Sequence, residues 1–299
     1  MAPARCIIVT GGASGIGLGI TRHLIAEPNT HITILDNNPT TGAQTLKDLR
    51  MKFPAASITF EECDVSSWES QAATFEKIHA QQGRIDIVFA NAGITEKGSL
   101  LPSRTFDDAG KGLVKPNLAT LNVNLVGLIY SVQLGIHYIS KNIASEGNSK
   151  GLIVCTASNA GLYPFAIAPM YAASKHAVIG LVRSLARSLE NEQIRINALA
   201  PAVIETNIAP SAELFKSMVL TPMSTAQKAV ARFIANPSLT GKVAELHGEH
   251  VTFADPPPYV DEDTEYDDYS VRGLVVCQEL VSVEYTAAPG SVICSSMCE

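Results

Sequence analysis

A tyrosine and a lysine four residues apart, Tyr171 and Lys175, carry the most distinctive chemistry in this sequence. Positions i and i+4 of a helix lie one turn apart on the same face. An ammonium group in that place favours the phenolate and lowers the pKa of the tyrosine, which is ordinarily about 10. Ser158, thirteen residues before the tyrosine, can hold a substrate oxygen beside it. Together they predict proton transfer to or from a carbinol oxygen.

The pair is weak evidence by itself, because a half-buried ring beside a solvated lysine is the commoner arrangement at this spacing. A glycine-rich segment near the N-terminus adds independent support. Residues 5–10 predict a buried strand, Gly11 to Gly17 form a turn, and residues 16–26 predict a helix. That order is typical of a dinucleotide site, where glycines allow the backbone to approach a pyrophosphate at a helix N-terminus. A glycine turn without a ligand is the alternative.

The predicted strand 31–35 ends in Asp36, nineteen residues after Gly17. A carboxylate there can accept both ribose hydroxyls of an adenosine and would repel a 2′-phosphate. Asn37, Asn38 and Ser14 offer no positive charge to neutralise such a phosphate. The sequence therefore favours NAD over NADP.

With Asn91-Ala92-Gly93 and Asn124 added, these motifs follow the order found in the short-chain dehydrogenase/reductase family. The chain resembles that family over about residues 5 to 250. Within it, the chain is most similar to NAD-dependent members of the 15-hydroxyprostaglandin dehydrogenase kind, including their fungal relatives, which implies a place in secondary metabolism.

The resemblance assigns the reacting groups. It implies that Tyr171 is the general acid/base, that Lys175 is its partner and a ribose ligand, and that Ser158 orients the substrate. Asn124 would hold a water that links the lysine to solvent. Taken singly, Ser158 is also typical of a turn, and Asn124 of a polar helix position.

The resemblance also assigns the cofactor contacts. Besides Asp36, Tyr171 and Lys175 they fall in four short segments: Gly11, Gly15, Ile16 and Gly17; Asp64 and Val65 at the adenine; Asn91, Ala92 and Gly93; and Pro201, Ile204 and Thr206 at the nicotinamide. Asp64 is equally typical of a helix cap. The family usually has glycine where this chain has Ala202, whose methyl group could shift the nicotinamide loop.

Predicted strands near 5–10, 31–35, 57–63, 85–90, 151–156, 194–200 and 243–247 alternate with helices. The helices are predicted near 16–26, 40–52, 67–82, 117–145, 169–190 and 224–235. Repeated strand–helix units predict an α/β fold, a single doubly wound parallel sheet of the Rossmann type with about seven strands and helices on both faces. We expect one NAD-binding catalytic domain over residues 1–254.

The acidic charge is concentrated at the C-terminus. The 299 residues carry 29 acidic and 22 basic side chains, a net charge of −7. Ten acids and one base follow residue 254, which gives that segment −9 and residues 1–254 a charge of +2. Residues 255–299 are also broken by prolines, so we expect a poorly ordered tail, with an extra strand at Leu274–Val283 as the alternative.

Several classes of partner are disfavoured. No basic stretch indicates nucleic-acid binding, no segment is expected to cross a membrane, and residues 6–9 are too short for a signal-peptide core. We therefore expect a cytosolic protein. The six cysteines and seven histidines lack metal-site spacing, and Cys6, Cys63 and Cys155 are predicted to be buried thiols. The resemblance implies a homodimer or homotetramer assembled through the two long helices.

The loops after residues 158 and 201 are rich in apolar residues, including Phe165, Ile167, Met170, Ile204 and Met218. About half are expected to pack into the core, and the rest predict an apolar pocket suited to a lipid-, terpenoid- or polyketide-like secondary alcohol. Two other functions remain open on the same fold: a non-oxidative isomerase or dehydratase, and a dinucleotide-binding protein without turnover.

Overall fold

The computed structural model describes residues 4–100, 114–144, 149–206 and 218–262. The chain divides into two compact units, Met1–Ala254 and Asp255–Glu299. The first unit contains the sheet and its helices. In the second, the described residues 255–262 are exposed and contain no strand. The proposed extra strand at residues 274–283 lies outside the described residues.

Eight strands form one sheet in the described part of the first unit. They are β1 Arg5–Thr10, β2 Thr30–Asp36, β3 Ser57–Glu62, β4 Ile87–Ala90, β5 Gly151–Thr156, β6 Ile194–Pro201, β7 Val243–His247 and β8 His250–Phe253. Their order across the sheet is β3-β2-β1-β4-β5-β6-β7-β8. All neighbours are parallel except β7 and β8. The order reverses at β1, so a crevice opens between the carboxyl ends of β1 and β4.

Six helices connect the strands in the described residues. They are α1 Gly15–Leu24, α2 Pro39–Lys52, α3 Trp68–Gln82, α4 Ala119–Ile139, α5 Pro169–Asn191 and α6 Met223–Ala235. Alternating strand residues supply two separate cores. Cys6 and Ile8 of β1 join the core under α3, α4 and α5, whereas Ile7 and Val9 join the core under α1, α2 and α6. The predicted doubly wound sheet is confirmed.

Two elements differ from prediction. Strand β8 was missed because it is only four residues long and follows β7 after a tight turn at Gly248, which has a φ of +51°. It pairs antiparallel with β7, raising the strand count from about seven to eight. Helix α4 is shorter than predicted and contains a π turn at Asn122–Val126, where the Gly127 N–H donates to the Asn122 carbonyl.

Helix α4 also bears on the membrane prediction. By length and composition this helix of 21 residues, with a mean hydropathy of 1.4 over 18 of them, would suffice to cross a membrane, contrary to the expectation that no segment would. Its Leu128, Val132 and Ile139 are buried in the core beneath the sheet. This packing is that of a core helix in a globular domain, which meets the same criteria.

Candidate active site

The glycine loop between β1 and α1 has a backbone conformation that depends on its glycines. Gly11 and Gly15 have φ values of +62° and +53°, in the region that favours glycine. A Cβ added at Gly17 would lie 2.3 Å from the Gly11 carbonyl oxygen and 2.7 Å from Asn91 Nδ2. Because glycine has no side chain, this turn can stay tight and its backbone stays accessible to a ligand at the start of α1.

Asp36 is fixed at the end of β2 beside the glycine loop. Its two carboxylate oxygens accept from the backbone N–H groups of Ala13, at 3.3 Å, and Asn38, at 3.2 Å. The side chains of Ser14 and Asn37 line the same part of the cavity and are uncharged. The carboxylate is thus held where the sequence predicted an adenosine ribose to lie.

Asn91 connects three strands. Its backbone and side-chain nitrogens donate to Thr10 Oγ1 at 2.9 Å and to the Thr10 carbonyl at 3.0 Å, and its Oδ1 accepts from Thr156 Oγ1 at 3.0 Å. The Ala92 N–H also donates to Thr10 Oγ1, at 3.0 Å. These bonds fix the carboxyl ends of β1, β4 and β5 relative to one another.

A buried glutamine that was not identified from the sequence holds the segment predicted to contact the adenine. Gln71 Nε2 donates to the carbonyl oxygens of Val65, at 2.6 Å, and Gly127, at 2.8 Å. The Asp64 carboxylate accepts from the Ser66 N–H and Oγ, at 2.9 and 2.7 Å, so it also stabilises the turn before α3. No sequence motif marked Gln71, because its partners lie on two other segments.

Tyr171, Lys175 and Ser158 meet at the carboxyl ends of β5 and β6. Lys175 Nζ donates to the Thr156 carbonyl at 2.7 Å and lies 5.6 Å from the centre of the Tyr171 ring. Ser158 is within hydrogen-bonding reach of the Tyr171 phenol. Its Oγ also lies 3.4 Å from the Pro201 carbonyl and accepts from the Ala160 N–H at 3.1 Å.

The pKa of Tyr171 is raised, and the expected lowering is wrong. Burial raises the pKa of Tyr171, and the hydrogen bond from Ser158 opposes that rise only in part. Burial also lowers the pKa of Lys175 from 10.5 to about 8. The reason is desolvation: both side chains are removed from water, which penalises the phenolate and the ammonium alike.

Asn124 lies in the π turn of α4 and is fully buried. Its Oδ1 accepts from the Ile94 N–H at 2.8 Å and its Nδ2 donates to the Ile94 carbonyl at 2.9 Å. A further bond of 3.3 Å joins Nδ2 to Ser174 Oγ. Asn124 therefore secures the loop after β4 against α5. The predicted role in holding a water stays a prediction.

One cavity of about 440 Å³ unites the predicted sites. Asn124 and Gly17 lie outside its lining, and the other predicted residues all line it: Gly11, Gly15, Ile16, Asp36, Asp64, Val65, Asn91, Ala92, Gly93, Ser158, Tyr171, Lys175, Pro201, Ile204 and Thr206. Thr206 lies across the glycine loop, 3.4 Å from where a Gly15 Cβ would be. Ala202, the departure from the family pattern, is also part of the lining and donates its N–H to the Leu246 carbonyl.

The apolar residues of the loops after Ser158 and Pro201 differ in their exposure. Met170 and Ile204 are buried, whereas Tyr163, Phe165 and Ile167 are exposed beside the site. The Phe165 ring lies 6.4 Å from the Tyr171 ring, centre to centre. Three further apolar residues predicted in the loop after residue 201, Ile208, Leu214 and Phe215, lie outside the described residues.

A metal ion in a protein is ordinarily held by a group of His, Cys, Asp or Glu side chains. Among the described residues, no group of three or more His, Cys, Asp and Glu side chains could hold one. Cys6, Cys63 and Cys155 are free and buried, and burial raises the pKa of Cys6 and of Cys155 to about 12. These thiols are accordingly protonated at neutral pH.

Comparison with known proteins agrees with this geometry. The sequence profile of the short chain dehydrogenases matches residues 5–216. A short-chain dehydrogenase/reductase of Penicillium rubens is 33% identical over 199 residues, which cover 66% of this chain and 68% of that protein. The 15-hydroxyprostaglandin dehydrogenase (NAD(+)) of Macaca fascicularis is 35% identical over 216 residues, covering 72% of this chain and 73% of that protein.

Solved structures show the same architecture. Levodione reductase superposes with a TM-score of 0.69 and 26% identity, covering 82% of this chain and 97% of that chain. The residues matched by the profile include most of those that form the sheet. They also include the glycine loop, Ser158, Tyr171 and Lys175. The chain is therefore an oxidoreductase-type protein that belongs to the short-chain dehydrogenase/reductase family.

Proposed function

We propose that this protein transfers a hydride between NAD(H) and a secondary alcohol or its ketone, with Tyr171 as the general acid/base. The observation that carries the proposal is the cavity itself. It brings the glycine loop and Asp36 into one continuous space with Tyr171, Lys175 and Ser158. A dinucleotide site and a proton-transfer group in contact with the same space are what alcohol oxidation requires.

The residues of the cavity fit a dinucleotide. The glycine loop would receive the pyrophosphate, Asp36 the adenosine ribose, Val65 the adenine edge and Lys175 the second ribose. A bound NAD+ would supply the hydride acceptor and a positive ring whose field favours the phenolate of a nearby tyrosine. In alcohol oxidation, Ser158 would hold the carbinol oxygen while Tyr171 Oη accepts the hydroxyl proton. In the reverse direction the phenol would donate a proton to the ketone oxygen, and its raised pKa suits that step.

A preference for NAD is supported by charge. A 2′-phosphate at Asp36 would meet a carboxylate, and the described cavity lining near it, Ser14 and Asn37, offers no cation. The lysines of the lining, Lys97 and Lys175, belong to the loop after β4 and to α5. The relative from Macaca fascicularis carries NAD(+) in its name, which supports the same choice.

An apolar substrate is supported by the surroundings of the tyrosine. Ile94, Val123 and Ile204 line the cavity, and Phe165 lies against the Tyr171 ring. Such walls reward the burial of hydrocarbon surface rather than of hydroxyl-rich sugars. We propose a lipid-, terpenoid- or polyketide-like secondary alcohol as the substrate. We also propose that the protein assembles as a homodimer or homotetramer.

The test is absorbance at 340 nm with purified protein, NAD+ and a panel of secondary alcohols graded from small and polar to large and apolar. We expect NADH formation to rise with apolar size. Turnover of small polar alcohols alone would contradict the substrate class. NAD binding with substrate conversion but no change at 340 nm would indicate an isomerase or dehydratase, and binding without any conversion would indicate a protein that only binds dinucleotides.

A further inference from the structure

The helix that carries the reacting tyrosine begins without a local cap. Helices α2 and α3 are preceded by Asn38 and Ser67, whose side chains accept from backbone N–H groups of their first turns. Before α5 stands Ala168, which has no side-chain acceptor. The free N–H groups of a first helical turn need partners when they are removed from water.

A count of these donors leaves two that local structure does not satisfy. Pro169 has no N–H, and the Ala172 N–H bonds to the Ala168 carbonyl at 2.9 Å. The remaining donors are the N–H groups of Met170 and Tyr171. Both donate to the carboxylate of Glu96, at 3.2 Å to Oε1 and 2.7 Å to Oε2. Glu96 thus caps α5 from 75 positions away along the chain. Its negative charge also interacts favourably with the positive end of the helix dipole.

Glu96 is itself held by hydrogen bonds on both sides. Before it, both backbone polar groups of Ile94 bond to Asn124. After it, the Lys97 N–H donates to Thr120 Oγ1 at 2.9 Å, and that hydroxyl donates to the Thr95 carbonyl at 3.1 Å. The loop after β4 is therefore fixed to α4 and reaches α5 through one carboxylate.

The backbone of the tyrosine is consequently held at both ends. Its N–H bonds to Glu96, and its carbonyl accepts from Ser174 Oγ at 2.6 Å. Ser174 is in turn bonded to Asn124. Because the side chain projects from this doubly fixed backbone, the same bonds determine where the phenol lies relative to Ser158.

We propose that Glu96 is a positioning residue for the reaction, acting through the backbone of Tyr171. It is half-buried and is not part of the cavity lining, so its effect passes through the first turn of α5. This inference rests on the proposed function, in which Tyr171 exchanges the proton. A small displacement of a reacting group is costly, since misplacement by about 1 Å can reduce a rate by roughly 100-fold.

The test begins with Glu96→Ala. We expect kcat to fall by roughly 10- to 100-fold, while KM for NAD stays close to that of the wild type. Glu96→Gln keeps one oxygen acceptor and should recover part of the loss. In a Tyr171→Phe background, Glu96→Ala should lower the residual rate no further, because residues that act as a unit are not additive.

Ser67→Ala is the matched control, since it removes the cap of α3, a helix that does not carry the tyrosine. It should lower Tm comparably to Glu96→Ala and leave kcat unchanged. The proposal would be overturned if Glu96→Ala kept the kcat of the wild type or if Ser67→Ala lost as much kcat as Glu96→Ala. It would also be overturned if Glu96→Ala lowered the rate additively in the Tyr171→Phe background.

Hydrogen exchange separates this inference from the proposed function. In Glu96→Ala, the peptide that contains Met170 and Tyr171 should exchange faster than in the wild type, whether or not an alcohol is oxidised. Unchanged exchange there would overturn the cap. If the wild type oxidised no alcohol while exchange rose as expected, the proposed function and the positioning role that rests on it would fail, and only the cap would stand.

Discussion

The cofactor side and the reacting side of the cavity are held in different ways. The glycine loop depends on backbone conformation within one short segment, where Gly11 and Gly15 adopt positive φ and Gly17 approaches Gly11. Tyr171 depends on side chains brought from distant parts of the chain, with Glu96 at its N–H and Ser174 at its carbonyl. The cofactor side should therefore be sensitive to added atoms, and the reacting side to removed ones.

Tyr171→Phe should give the largest effect and confine it to the reacting side. General acid–base catalysis is worth roughly 10²–10⁴-fold, so turnover should fall by that amount while NAD affinity is largely kept. Steady-state rates and calorimetric titration with NAD measure the two sides separately. Tyr163→Phe is the control, because that phenol is exposed and donates to Glu245. A merely twofold loss in Tyr171→Phe would remove the tyrosine from the mechanism.

Lys175→Met tests the group that both sides share. Turnover and NAD affinity should both fall, but thermal stability near neutral pH should rise. Burial lowers the lysine pKa from 10.5 to about 8, so holding the charge in the folded protein costs about 3 kcal/mol below pH 8. The lost hydrogen bond to the Thr156 carbonyl offsets about 1 kcal/mol of the gain.

The pH dependence of that gain has a definite sign. Between about pH 8 and 10.5 the folded wild type has released a proton that the unfolded chain still binds, so wild-type stability rises with pH in this window. The advantage of Lys175→Met should then shrink from neutral to alkaline pH, as compared by parallel melting curves. A gain that stays constant would show that the pKa of Lys175 is not lowered in the folded protein.

Gly17→Ala should break the cofactor side by adding one methyl group. The new Cβ would lie 2.3 Å from the Gly11 carbonyl oxygen, which belongs to a fixed turn. Overpacking typically costs about 1–3 kcal/mol, and we expect NAD affinity to fall by roughly ten- to a hundredfold. Gly180→Ala is the matched control: its Cβ meets nothing within 4 Å, so that helix should gain about 0.5–1 kcal/mol. Normal NAD binding by Gly17→Ala would contradict the close approach.

Asp36→Ala should have the smallest effect of these substitutions. It tests which dinucleotide the cofactor side prefers. Like charges placed together cost several kcal/mol, so the wild type should bind NAD at least about tenfold more tightly than NADP. Removing the carboxylate should narrow that ratio, as measured by fluorescence titration with both dinucleotides. Asp48→Ala, an exposed acid of α2, serves as the control for net charge. Equal wild-type affinities would refute the assignment of Asp36.

The same contrast explains which parts of the fold and of the site could be predicted from the sequence. The glycine loop and Asp36 are local patterns, so their strand, turn and helix could be predicted, as could the alternation that builds the sheet. Glu96 and Gln71 could not be found, because each acts on backbone groups of distant segments that only the fold brings near. The direction of the Tyr171 pKa was missed for a related reason: it depends on burial, which spacing along a helix does not reveal.

The π turn in α4 has a consequence for insertions and deletions. Five residues, Asn122–Val126, occupy a wider turn that ordinary helical winding would complete with one fewer. Deleting one of them would restore regular winding and leave Thr120 and the sheet-facing Leu128 on their present faces, because the wider turn absorbs the extra residue. Deleting a residue from a regular part of α4 would instead rotate the two halves of the helix by roughly 100° relative to each other. A chain one residue shorter at Asn122–Val126 would therefore keep the packing of its helix and lose the widened turn in which Asn124 bonds to Ile94.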